Sequence, residues 1–145
     1  MQGGEMNLVF VCVHNSCRSQ MAEALAKHFA QEMGLSLQIY SAGSEKSREI
    51  HLRAKEYLKE LYGISLQNHY VKTLDELPLQ WDVIVSMGCN MQCPSVYAKY
   101  HFDFALQDPS EMDKEQFLSI IATLEDKTKA LLKAIKENTL GEFVC

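Results

Sequence analysis

Asn7-Leu8-Val9-Phe10-Val11-Cys12-Val13-His14-Asn15-Ser16-Cys17-Arg18-Ser19 joins an apolar strand, Asn7 to Val11, to the amphipathic segment Gln20 to Gln31 through one tight loop. A loop this short, between a strand's carboxyl end and a helix N-terminus, wraps backbone N–H groups around a small anion. Arg18 adds a planar fork of donors that matches two oxygens of a tetrahedral oxyanion. Cys12 stands at the base of that positive cup, where the thiolate form is favoured. A nucleophile beneath an oxyanion is the layout of an enzyme. The alternative reading is a small buried hydrophobe that ends a core strand, a common fate of free cysteine. Strand, loop, arginine and helix in succession favour the nucleophile.

Outward from this segment, apolar strands alternate with helical patterns, which indicates βαβ units around a parallel sheet. The first helix is predicted from about Ser19 to Gly34 and the second strand over Leu37 to Ser41, leading into Ala42-Gly43, a turn signal. A second helix spans Glu49 to Tyr62, with Gly63 as its C-terminal cap. The stretch Ile64 to Gln80 reads as loops around a short helix at Leu74 to Leu77. Strand three, Trp81 to Ser86, contains the buried run Val83-Ile84-Val85. A fourth strand near Phe102 to Ala105 precedes Asp108. A third helix, Asp113 to Glu137, carries the stripe Phe117, Ile121, Leu124, Leu131 and Ile135. The fold class is α/β: a single three-layer α/β/α domain over residues 1–145, with a four-stranded parallel sheet. Residues 1–5 and 139–145 are expected as flexible tails. Ligands in such open sheets gather at the strands' carboxyl ends, and Cys12, Cys89 and Asp108 each follow a predicted strand there.

Bulk properties narrow the function classes. A chain of 145 residues with 47% apolar and 23% charged residues fits one soluble globular domain. A net charge of -5 argues against a general nucleic-acid binder, because phosphate backbones reward clustered Lys and Arg. It does not argue against a small anion, since one loop can be positive on an acidic protein. No run approaches about 18 apolar residues, so no membrane span is expected. Met1-Gln2-Gly3-Gly4-Glu5 lacks the regions of a signal peptide. Five cysteines in no secreted framework point to a reducing, cytoplasmic setting.

A second constellation, Cys89-Asn90-Met91-Gln92-Cys93-Pro94, comes directly after strand three. Cysteines four apart can meet on one helical turn or after local rearrangement. Three readings stand open: a metal site with His101, which lacks a second ligand pair at zinc spacing; an inert buried pair; or a redox pair acting with Cys12, from the same edge of the sheet.

Cys12-Val13-His14-Asn15-Ser16-Cys17-Arg18-Ser19-Gln20-Met21-Ala22-Glu23 resembles the signature of arsenate reductases built on the low-molecular-weight protein tyrosine phosphatase fold, of the thioredoxin-linked type. Tyr40-Ser41-Ala42-Gly43, Val83 to Cys89, Cys93-Pro94 and Asp108-Pro109 extend the resemblance from Met6 to about Asn138. It implies that Cys12 attacks arsenate within an oxyanion loop of Val13, His14, Asn15, Ser16, Cys17, Arg18 and Ser19, and that Asp108 is the general acid. It implies that Cys89 and Cys93 carry a disulfide relay that releases arsenite, with electrons from thioredoxin or a comparable thiol donor and no tightly bound cofactor. Ser19 is expected to donate to the Cys12 thiolate or to cap the first helix; Cys17 is expected to be structural, and Cys145 an accidental terminal thiol. The three-residue spacing between Cys89 and Cys93 is shorter than in the best-known relatives, which leaves their order open. His14 stands where many relatives have glycine. Asn15, Glu23 and Ser41 resemble positions that hold potassium in some relatives, and no metal is assigned. The family's default state is a monomer. The competing readings are a low-molecular-weight phosphatase using Cys12, Arg18 and Asp108, and an oxyanion- or redox-sensing module without turnover. Against the phosphatase, Ser110 and Glu111 rather than tyrosines follow Asp108-Pro109.

Overall fold

A computed structural model describes residues 6–15, 17–43, 49–78, 80–88 and 97–143. Four strands, β1 (Met6–Cys12), β2 (Leu37–Gly43), β3 (Gln80–Ser86) and β4 (Tyr97–Asp103), form one sheet in the order β2-β1-β3-β4. Every pairing is parallel, as the alternating pattern predicts. Three helices, α1 (Arg18–Glu32), α2 (Leu52–Tyr62) and α3 (Lys114–Lys136), accompany it.

Because successive side chains on a strand face opposite ways, β1 feeds two cores. Leu8, Phe10 and Cys12 join Val83 and Val85 against Met21 and Leu25 of α1, Leu58 of α2, and Phe117 and Ile121 of α3. Val9 and Val11 join Ile84 and Trp81 on the other face, under Tyr40, Leu74 and Leu77. Truncating a side chain such as fully buried Phe10 to alanine would cost about 3–5 kcal/mol. The central strands are therefore held on both faces, and their carboxyl ends are rigid mounts.

Element ends follow local chemistry. Helix α2 starts at Leu52 rather than Glu49, because His51 Nδ1 accepts the Arg53 N–H at 3.2 Å and so caps it. Gly63 closes it in the left-handed region, at φ 69°. Asp113 and Gln116 form a reciprocal capping box on α3.

Strand β4 departs most from expectation, running over Tyr97–Asp103 instead of Phe102 to Ala105. It is an edge strand whose Lys99 and His101 are exposed, and these polar positions hide its periodicity. Asp103 then accepts the Ala105 N–H at 2.6 Å, and Ala105 turns to φ 52°, which ends the strand. Residues 139–143, grouped by sequence with a loose tail, make a short 3-10 turn at Leu140–Glu142. Leu140 is buried there, and the Phe143 ring meets Phe102 edge-on at 5.0 Å. Among the described residues no helix is long and apolar enough to cross a membrane.

Candidate active site

Cys12 ends β1 and lies opposite Gly43 of β2 in the sheet register. Its side chain is buried, and the chain turns at once toward α1. Asn15 takes the left-handed conformation, φ 56°, which asparagine tolerates better than most residues. That twist aims the Asn15 N–H at Cys12 Sγ, 3.3 Å away.

The Asn15 side chain fixes what happens on the sulfur's other flank. Its Oδ1 accepts the Lys72 backbone N–H at 3.0 Å, an unambiguous donor that sets the amide's orientation. Gln20 Nε2 donates to the same oxygen at 2.8 Å. Asn15 Nδ2 must then donate to Ser19 Oγ, at 2.8 Å. With Ser19 Oγ accepting there, its hydroxyl proton is available to Cys12 Sγ, 2.9 Å away. The Ser19 hydroxyl and the Asn15 N–H can thus both be donated to the one sulfur. Ser19 lies inside α1 and not at its cap, and no side chain caps that helix.

Arg18 opens α1 and is almost fully buried. Its Nη1 donates to the carbonyls of Met87 at 2.9 Å and Leu106 at 2.8 Å, beyond the ends of β3 and β4. A guanidinium at a helix N-terminus, with no acidic residue in that first turn, concentrates positive charge where an anion would be welcome. Val13 is half-buried and His14 exposed; Ser16, Cys89, Cys93 and Cys145 lie outside the described residues. Cys17 is buried, and burial, reinforced by the charges of Asp108 and Cys12, pushes its thiol up to about 12. At neutral pH that favours the protonated thiol.

Asp108 caps the 3-10 turn Pro109–Glu111. Its Oδ1 accepts from the Ser110 N–H at 3.0 Å and the Ser110 hydroxyl at 2.6 Å. Burial pushes its carboxyl up, but the two Ser110 bonds, with Arg18 and His51, prevail and hold it below the ordinary carboxylate range. At rest it is ionised; a bound oxyanion would favour proton uptake by adding negative charge nearby. Arg53 clamps this segment to α2, donating to Ser110 O at 2.7 Å and Met112 O at 2.6 Å while lying over the Phe117 ring.

Behind the loop, Glu23 is buried. It accepts from Ser41 Oγ at 2.5 Å and Lys27 Nζ at 2.6 Å, with Lys72 Nζ 3.6 Å and His69 Nδ1 3.8 Å away. These residues do not fit an added potassium ion. The Asn15 amide oxygen already takes two donors, and the Glu23 charge already faces two ammonium groups. Among the described residues no group of three or more His, Cys, Asp or Glu could hold a metal, and His101 is exposed on β4.

Acid is expected to weaken the fold through this cluster. Burial holds His69 below its ordinary 6.5. For Glu23, burial pushes up but the Lys27 and Ser41 bonds and Lys72 outweigh it, leaving it below 4.5. In both cases the unfolded chain binds more protons within the window between the two values, so stability falls as pH drops through it. Urea midpoints should therefore decline from pH 7 to 5.5 in the wild type and less in His69→Gln. Equal declines would remove His69 from the account.

Sequence reasoning named the loop and Asp108 but missed Gln20, Arg53, His69 and Lys72. The last two lie in a stretch without periodicity, and nothing in their spacing marks them.

Fold and site together define an α/β protein whose first βα loop holds a buried cysteine against an arginine. The chain belongs to the low molecular weight phosphotyrosine protein phosphatase family, whose model matches residues 7–140. It is similar to a glutaredoxin arsenate reductase of Synechocystis sp., at 29% identity across 88% of this chain and 97% of that one. A solved arsenate reductase in its phosphate-binding state superposes with a TM-score of 0.80 at 28% identity, covering 90% of this chain and 98% of that one. A thioredoxin-dependent arsenate reductase of Corynebacterium glutamicum gives a TM-score of 0.71 at 28% identity, over 95% of this chain and 65% of that one.

Proposed function

We propose that this chain is an arsenate reductase, a single catalytic domain acting as a cytoplasmic monomer. The observation that carries the reading is the setting of Cys12 Sγ, with the Ser19 hydroxyl at 2.9 Å and the Asn15 backbone N–H at 3.3 Å, at the start of the loop that leads to Arg18. The Cys12 thiolate attacks arsenic, an S–As bond forms, and a hydroxyl of arsenate leaves as water with a proton from Asp108. Written with Cys89 first, its thiolate attacks Cys12 Sγ: the S–S bond forms, the S–As bond breaks, and its electron pair stays on arsenic. Arsenic(V) becomes arsenic(III) and leaves as arsenite. Cys93 then attacks Cys89, which frees Cys12 and leaves a Cys89–Cys93 disulfide. A dithiol donor reduces that disulfide, so two electrons enter for each arsenite released. Cys89 directly follows Gly88 in the chain, and the Met87 carbonyl lies on Arg18, which supports an electron exit beside the anion loop. Thioredoxin is the proposed donor. Relatives named for glutaredoxin and for thioredoxin both support a thiol-based source.

The family's phosphatase description favours one second reading, hydrolysis of phosphomonoesters by Cys12, Arg18 and Asp108 with water completing the cycle. Arsenite release with thioredoxin, thioredoxin reductase and NADPH separates the two. Wild type is expected to turn over, and Cys89→Ser and Cys93→Ser to stall after at most one arsenite per chain. No arsenite from the wild type, with Cys12-dependent hydrolysis of p-nitrophenyl phosphate, would establish the phosphatase.

A further inference from the structure

Lys72 occupies a place in which a lysine is costly. Its side chain is 6% exposed, as is that of Glu23, and burying an ammonium is unfavourable unless its surroundings replace water. Those surroundings are here. Nζ lies 3.6 Å from Glu23 Oε1, donates to the Tyr70 carbonyl at 3.3 Å, and sits 4.7 Å from the Tyr70 ring centroid. A carboxylate oxygen, a carbonyl oxygen and an aromatic face are the partners that a desolvated monovalent cation seeks. Ser41, bonded to the same Glu23 oxygen, adds a further oxygen at the edge of this shell.

The backbone of Lys72 acts on the anion loop. Its carbonyl accepts the Gly43 N–H at 2.9 Å, and its N–H donates to Asn15 Oδ1, the first link of the chain through Ser19 to Cys12. One residue thus joins a buried positive charge to the device that orients the sulfur. We propose that Lys72 is a built-in cation: its ammonium holds the place of a bound monovalent metal ion at Glu23, and Lys72 is thereby a positioning residue for Cys12. It acts through Asn15 and Ser19 and touches no substrate. The inference rests on the reading of Cys12 as nucleophile, but its test does not depend on which oxyanion is processed.

The test compares wild type, Lys72→Ala and Lys72→Met in potassium, sodium or choline chloride at equal ionic strength. Two quantities are read: the thermal midpoint, and the rate at which iodoacetamide modifies Cys12 at pH 7, followed on the Cys12 peptide by mass. Wild type is expected to show the same midpoint and rate in all three salts. Lys72→Ala opens the cation's place; in choline its Cys12 rate should fall about tenfold and its midpoint should drop, and potassium or sodium should restore a large part of both. Lys72→Met fills that place without charge, so its Cys12 rate should fall and no salt should restore it. A wild-type preference for potassium over choline would overturn the inference, as would a Lys72→Ala protein indifferent to the cation. If Lys72→Ala does not fold, Lys72→Met with an unchanged Cys12 rate would overturn it equally. A wild type that releases no arsenite but follows this salt pattern would sink the reductase reading and leave the built-in cation standing.

Discussion

Cys12→Ser is expected to release no measurable arsenite, a loss of at least about 10⁴-fold. A hydroxyl in place of the thiol is a far weaker nucleophile at neutral pH, and it can neither form the S–As bond nor pass a disulfide onward. The fold should survive. Oxygen is smaller than sulfur, and the Asn15 N–H and Ser19 hydroxyl that meet Cys12 Sγ are both able to bond to an oxygen. The variant should therefore bind phosphate or arsenate with near wild-type affinity, read by isothermal titration, and keep its urea midpoint. That split between retained binding and lost turnover is the signature of a covalent nucleophile. Comparable turnover in Cys12→Ser would move the chemistry to another cysteine. Lost binding together with lost turnover would instead make Cys12 a structural residue of the loop.

Gly43→Ala is the second large effect, and it acts from outside the loop. A Cβ at residue 43 would stand 2.7 Å from the Val13 carbonyl oxygen, 2.9 Å from the Asn15 nitrogen and 2.9 Å from the His14 carbonyl carbon. All three are backbone atoms, so no side chain can swing aside to make room. The loop must lift, and the Asn15 N–H leaves Cys12 Sγ as it does. A displacement of roughly 1 Å in such a constellation costs on the order of 10²-fold in rate. The strain of forcing a methyl into packed backbone adds about 1–3 kcal/mol of lost stability. Arsenite release and the urea midpoint read the two losses separately. A Gly43→Ala variant with wild-type activity would mean that the loop is less tightly seated on β2 than these approaches imply.

The contrast between what could and could not be read from the sequence has a physical origin. Leu8 to Val11 and Val83 to Val85 announce themselves as unbroken apolar runs of strands buried on both faces, and the stripe from Phe117 to Leu131 as apolar residues at the helix's own period. The loop from Cys12 to Arg18 is legible because its function depends on residues consecutive in the chain. Strand β4 is hard to read because an edge strand needs only one partner and keeps Lys99 and His101 in water. Lys72 and Gln20 are invisible for another reason. Their importance lies in partners 49 and 57 positions away in sequence, Lys72 to Glu23 and Asn15, Gln20 to His69, which no local pattern encodes. Gly43 falls between these cases. Its Ala-Gly step signals a turn, but the crowding that demands glycine comes from the neighbouring strand's loop.

The two carbonyls that receive Arg18 Nη1 also set where this chain tolerates insertions and deletions. An arginine that grips main-chain oxygens is indifferent to the side chains above them, so Met87 and Leu106 are open to exchange for other apolar residues of similar volume. The chain's length is not open in the same way. One residue added between Ser86 and Met87, or between Phe104 and Leu106, would displace the carbonyl and leave a buried guanidinium short of an acceptor. Variation at the far ends of β3 and β4 should accordingly occur by substitution and hardly ever by a change in length.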